Sequence, residues 1–273
     1  MPNLTLRDGT TLSVKDWGEG PAVVFCHGWP LNADMWEGQM LALARAGFRC
    51  VAHDRRGFGR SSQPWNGYDY DTFADDLDEV IEAMELTEVT LVGFSMGGGE
   101  VARYLSRHGA ERVSRAVLIG AVTPYLLQGT DNPDGVDRSV FDGMRAGIEA
   151  DRAEFFRGFG RAFLGADRPG SSVSEGALDW HQGMVLMAGL KGTLDCVTAF
   201  SETDFRPDLR SFDLPTLLIH GDDDAIVPIG LTARKAVDAI RGARLEVIAG
   251  GPHGICHTHR EVVNGMLLGF LRG

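Results

Sequence analysis

Basic residues are scarce in this chain: 26 Lys and Arg stand against 38 Asp and Glu in 273 residues, a formal net charge of −12. No basic cluster offsets that balance, which argues against nucleic acid or an anionic membrane surface as a partner. No apolar run approaches the length of a membrane span, and the first residues lack the basic and apolar regions of a signal peptide. Cysteine is rare too. Its four copies, at 26, 50, 196 and 256, are scattered, and Cys26 and Cys50 fall in strand-like runs. They read as reduced core thiols of a cytoplasmic protein. Internal repeats, low-complexity tracts and linkers are also missing, and 273 residues suffice for one large core.

What the chain does have is a series of short apolar runs separated by amphipathic stretches. Ala22–Cys26, Val89–Phe94, Ala116–Ile119, Leu217–His220 and Leu245–Ala249 read as buried strands. Met40–Ala46, Asp71–Met84, Met96–Arg107 and Glu261–Leu271 read as helices, and the alternation predicts an α/β fold with a mostly parallel sheet. The opening stretch from Leu4 predicts a hairpin turning at Asp8-Gly9. Between about Val122 and Arg206 the strand signals vanish. Helical stretches at Arg138–Glu149, Arg152–Phe163, Ser174–Met187 and Leu190–Glu202 replace them, so residues 122–206 are expected to insert between core parts 1–121 and 207–273.

The most telling segment is Gly93-Phe94-Ser95-Met96-Gly97, a G-x-S-x-G pentapeptide between a buried strand and an amphipathic helix. In that setting the serine sits on a sharp turn, and the N–H of Met96, at the helix start, points toward the same spot as the serine oxygen. A serine hydroxyl is a poor nucleophile, so a base and an orienting acid are required, in the order Ser, Asp or Glu, His. His253, in Gly250-Gly-Pro-His-Gly254 just past a strand, is the candidate base. The acid comes from the loop Gly221-Asp-Asp-Asp-Ala-Ile-Val-Pro228, where residue chemistry leaves Asp222, Asp223 and Asp224 open. A second backbone donor is expected from His27-Gly28-Trp29-Pro30 after the first apolar strand, at the N–H of Trp29. Pro30 has no N–H and restricts the residue before it. His27 itself reads as a structural histidine.

These stretches together resemble the α/β-hydrolase superfamily, and within it the cofactor-free haloperoxidase, perhydrolase and arylesterase group. The resemblance rests on residues 27–36, 54–62, 68–77, 93–104, 131–135, 221–228 and 251–254, falling in order over nearly the whole chain. It implies an α/β-hydrolase fold in which residues 122–206 are a helical cap. It also implies a catalytic Ser95, Asp224 and His253, with the Trp29 and Met96 N–H groups as oxyanion hole. Trp29, Pro30 and the cap residues Phe141, Phe155 and Phe159 are the expected substrate contacts, with Phe156, Phe163, Trp180 and Met184 as further candidates. The implied activity is hydrolysis of short-chain or aryl esters. With hydrogen peroxide in place of water it becomes perhydrolysis, and the Trp29-Pro30 pairing resembles the family members with marked perhydrolase activity. The implied partners are a small-molecule ester or carboxylic acid plus hydrogen peroxide, without cofactor or metal, in a homo-oligomer.

Other readings are weaker. Lactonases, lactamases and carbon–carbon bond hydrolases share the triad and differ in the cap. Haloalkane dehalogenases and epoxide hydrolases need an aspartate where Ser95 stands. A ligand-binding protein of this fold would have no need of the complete triad. His253, Cys256, His257 and His259 crowd together as in a zinc site, but His253 is already claimed. Gly57-Phe-Gly-Arg-Ser-Ser62 lacks the G-K-[ST] ending of a phosphate loop.

Overall fold

A computed structural model describes residues 3–273. Eight strands form one sheet: β1 (Asn3–Thr5), β2 (Thr11–Trp17), β3 (Ala22–Cys26), β4 (Arg49–His53), β5 (Val89–Phe94), β6 (Val113–Ile119), β7 (Thr216–Gly221) and β8 (Arg244–Ile248). Their order across the sheet is β1-β2-β4-β3-β5-β6-β7-β8. Only the β1–β2 and β2–β4 pairs are antiparallel, and from β4 onward every neighbour is parallel. The expected hairpin is present, with Gly9 at φ +86° and the Asp8 carboxylate accepting from the Thr10 N–H at 2.8 Å.

The uninterrupted apolar runs follow from this topology. All positions of β3, β5 and β7 are buried, because parallel strands joined by helical crossovers are covered on both faces. The connecting helices are α1 (Glu37–Arg45), α2 (Tyr70–Ala83) and α3 (Met96–His108), followed after β6 by α4 (Arg138–Leu164), α5 (Glu175–Leu186), α6 (Leu190–Glu202) and α7 (Arg206–Leu209). Beyond β7 lie α8 (Ala233–Ala239), α9 (Ile255–Thr258) and α10 (Arg260–Arg272). In α2, the Asp69 side chain caps the Thr72 N–H at 2.9 Å, and Phe73, Leu77, Val80 and Ile81 bury one face.

The chain leaves the sheet after β6 and returns at β7, and α4–α6 fill the interval. Sequence periodicity places two helices at 138–149 and 152–163. The structure has this break: the span labelled α4 is two helical segments that meet at Asp151 (φ −155°, ψ +93°, outside the helical region), whose side chain accepts from the Glu154 N–H and so caps the second. All four cysteines are free and buried. No single helix among the described residues is long and apolar enough to cross a membrane.

Candidate active site

Ser95 joins β5 to α3 without an intervening loop, at φ +54° and ψ −118°. L-residues avoid this region at a cost of about 1–3 kcal/mol. Two glycines permit the reversal. A β-carbon on Gly93 would lie 2.3 Å from the Gly97 carbonyl oxygen, and one on Gly97 would lie 2.2 Å from that of Cys26. The turn therefore folds tightly on itself and against the end of β3, and the serine is held at the C-terminal edge of the parallel strands.

The loops after β7 and β8 bring two further side chains to that edge. Ser95 Oγ donates to His253 Nε2 at 3.0 Å, and His253 Nδ1 donates to Asp224 Oδ2 at 2.6 Å. All three residues are buried. The other Asp224 oxygen accepts the backbone N–H groups of Ile226 (2.9 Å) and Val227 (2.8 Å). His220 Nε2, which donates to the Val227 carbonyl at 2.8 Å, lies 3.2 Å from Asp224 Oδ2. Burial alone would raise this carboxyl, but His253 and His220 hold it well below the usual carboxylate range. An alcohol, imidazole and carboxylate in this chain can pass the serine proton to the ring while the carboxylate fixes the ring's tautomer.

The neighbouring aspartates do other things. Asp222 accepts from the Gly250 N–H at 2.7 Å and so ties the two loops together, while Asp223 is exposed and pairs with Arg168 at 3.1 Å. His220 went unnoticed in the sequence. Its signal was position, four residues before Asp224 at the end of a buried strand. Among the described residues, no three His, Cys, Asp or Glu side chains gather in a metal-binding cluster. His257 packs on Trp180 with ring centroids 5.8 Å apart, and His259 Nδ1 lies 2.9 Å from Thr258 Oγ1, so neither joins His253.

On the opposite side of the serine, a β-carbon on Gly28 would lie 3.1 Å from Ser95 Cβ and 2.6 Å from the Phe94 ring. The Gly28–Trp29 backbone thus passes directly beside the nucleophile. Met96 supplies the first N–H of α3, one of those a helix leaves without an internal acceptor. Among the described residues, no protein acceptor bonds the N–H of Trp29 or Met96. His27 is structural in its contacts: its Nε2 accepts from the Arg55 N–H at 2.9 Å and its Nδ1 lies 2.9 Å from the Gly28 carbonyl. Burial, with Arg55 beside it, pushes its pKa well below the ordinary value, so the ring is neutral.

A cavity of about 280 Å³ opens above Ser95 and His253. Phe141, Phe155, Phe159 and Trp29 line it, with Val140 and Met144 beside them on α4. Phe200, Val122, Leu126, Val136 and the Ala225–Val227 segment complete a lining in which Ser95 and His253 are the groups able to do chemistry. Ile226 and Val227 were legible only in hindsight, as the residues that follow the acid. Pro30 was expected to contact substrate, but it is buried and outside the cavity lining; its neighbour Trp29 takes the wall position. The Trp29 ring is anchored there by Phe156 and Phe200, and its Nε1 donates to the Thr193 carbonyl at 2.9 Å.

Of the remaining cap candidates, Phe156 is fully buried and packs on Trp29, while Phe163 stands edge-on to the His253 ring at 4.9 Å. Trp180 and Met184 line a separate narrow crevice with His181. Among the described residues, neither ring nitrogen of His181 has a hydrogen-bond partner, and burial lowers its pKa to about 4. The unfolded chain, with an ordinary value near 6.5, binds this proton first as pH falls. The neutral ring's contribution is therefore complete above about pH 6.5 and lost progressively down to about pH 4. Between pH 7 and pH 5, wild-type unfolding free energy should fall by about 2 kcal/mol more than that of His181→Leu. Urea titrations at the two pH values would check this, and parallel losses would refute it.

Comparison with known proteins finds relatives over nearly the whole chain. The family model described as alpha/beta hydrolase fold matches residues 21–260. A non-heme chloroperoxidase of Kitasatospora aureofaciens is 47% identical over 273 residues, covering 99% of each chain. A bifunctional esterase/perhydrolase of Acinetobacter calcoaceticus is 42% identical over the whole of both chains. Among solved structures, a bromoperoxidase from Bacillus anthracis superposes with a TM-score of 0.96 at 45% identity, covering 100% of both chains.

Proposed function

The chain belongs to the α/β-hydrolase family, and within it to the non-heme haloperoxidase group, and from that premise we propose that it is a serine esterase with perhydrolase activity. The observation that carries this reading is the Ser95–His253–Asp224 hydrogen-bonded chain at the floor of an apolar cavity. His253 Nε2 takes the Ser95 proton as Oγ attacks the ester carbonyl. The oxyanion rests on the N–H groups of Trp29 and Met96. The tetrahedral intermediate then collapses, and the alcohol, or water when the acyl donor is a carboxylic acid, leaves with the proton held by His253. In the second half, His253 deprotonates water or hydrogen peroxide, which attacks the acyl-enzyme. Ser95 is released with either a carboxylic acid or a peracid. Halide oxidation by the peracid takes place in solution and asks nothing more of the site.

The lining carries no charged side chain, which suits apolar short-chain and aryl acyl groups and disfavours charged ones. The buried free thiols suit a reducing compartment, so we place the protein in the cytoplasm. Exposed apolar side chains, with Trp65 at 73% exposure, suit a homo-oligomer.

The test is turnover of p-nitrophenyl acetate and butyrate, beside peracid formation from acetate and hydrogen peroxide. Turnover of neither ester would overturn the esterase reading, and ester hydrolysis without peracid would overturn the perhydrolase half. Pro30→Leu should lower the ratio of perhydrolysis to hydrolysis severalfold by shifting the Trp29 backbone and ring against the acyl-enzyme. An unchanged ratio would remove Pro30 from the account.

A further inference from the structure

The two proposed oxyanion donors come from different parts of the chain. Trp29 belongs to the loop after β3, and Met96 is the first residue of α3. Their separation depends on whatever fixes that loop against that helix. One side chain touches both. Arg55, in the loop after β4, donates from Nη2 to the His27 carbonyl at 2.8 Å, two residues before Trp29. Its Nε donates to Glu100 Oε2 at 2.7 Å, and Nη2 bonds the same oxygen. Glu100 lies on α3, one turn beyond Met96. The backbone N–H of Arg55 also holds the His27 ring, so one residue clasps both the ring and the carbonyl at the root of the loop.

His27, Arg55 and Glu100 are each exposed by 1% or less. Taking two charges out of water costs several kcal/mol, and apolar side chains of similar volume often stabilise a core as well or better. Stability is therefore a poor reason for an ion pair at this place. Geometry is a better one, because a donor displaced by an ångström loses most of its effect on a developing oxyanion. Burial alone would raise the Glu100 carboxyl, but the Arg55 guanidinium, with His53 at 3.3 Å, holds it down to about 2. The clasp is thus charged at neutral pH.

We infer that Arg55, held by Glu100, is a positioning residue that sets the spacing of the Trp29 and Met96 N–H groups and so tunes the oxyanion hole. This rests on the acyl-transfer reading above.

The double variant Arg55→Met/Glu100→Leu removes both charges and leaves volume nearly unchanged. Active sites would be counted by labelling with a serine-directed phosphonate. Then kcat and KM for p-nitrophenyl butyrate would be measured beside the inhibition constant of phenylboronic acid, whose tetrahedral adduct places an oxygen in the hole. The expected result is a folded protein with KM within about twofold, kcat per active site lower by about 10- to 100-fold, and boronate affinity weaker by the same factor. Arg55→Lys, which keeps the charge and loses the fork, should fall between this and wild type. A folded double variant with wild-type kcat and boronate affinity would overturn the proposal. If the double variant does not fold, the isosteric Glu100→Gln takes its place: parallel losses in kcat and boronate affinity support the proposal, and wild-type values overturn it. Failure of the acyl-transfer reading would look different, since wild type itself would neither turn over esters nor take the label.

Discussion

Ser95→Ala should lower kcat/KM on p-nitrophenyl acetate by at least about 10⁴-fold and abolish phosphonate labelling, with the melting temperature almost unchanged. The size of the loss follows from what remains. The two backbone donors and the apolar cavity can still bind the ester and polarise its carbonyl, but no acyl-enzyme can form. His253 would be left to activate water at a distance set by the missing hydroxyl. Stability should hold because alanine keeps the β-carbon. The strain at φ +54° is then the same in both proteins, and only the 3.0 Å bond to His253 is lost. Peracid formation should disappear in step with ester hydrolysis, since both pass through the same intermediate. Residual peracid production at the wild-type rate in Ser95→Ala would place perhydrolysis outside this serine and undo the shared mechanism.

Most of the framework was legible in the sequence because it is written in local signals. Val89–Phe94 and Ala22–Cys26 are uninterrupted apolar runs bounded by turn residues, and the structure gives strands with those same limits. The helix at Leu190–Glu202 also has the limits its pattern suggests. The break between 149 and 152 was legible for the same reason, since Asp151 leaves the helical region there and caps the segment that follows. Long-range geometry was less legible. The aromatic residues of α4 carry no label for direction. Phe155 and Phe159 face the cavity while Phe156, between them, is consumed by Trp29, a difference of one position around a kinked helix. That Arg55 pairs with Glu100, 45 residues away, was not legible in either segment, since charge complementarity across a fold is invisible until the strands are ordered. The same holds for His220.

Asp224→Asn should lower kcat by about 10³- to 10⁴-fold while leaving KM for short esters nearly unchanged. The direction of the amide decides this. Asp224 Oδ1 accepts two backbone N–H groups, from Ile226 and Val227, so an asparagine must keep its carbonyl there and turn its NH₂ toward His253. His253 Nδ1 then has to accept, its proton moves to Nε2, and the nitrogen facing Ser95 can no longer take the serine proton. The same NH₂ would also meet His220 Nε2, which already donates to the Val227 carbonyl, so two donors would face each other. KM is spared because Asp224 is not part of the cavity lining. Stability should carry a matching signature. The carboxyl's pKa is depressed in the folded state, so its stabilisation is complete above the unfolded value near 3.9 and is lost as pH falls through the lower folded value. The urea midpoint of the variant should therefore lie well below that of wild type at pH 7, and the gap should narrow below about pH 4. Equal midpoints at pH 7, or a kcat within tenfold of wild type, would show that the tautomer of His253 is fixed by something other than this carboxylate.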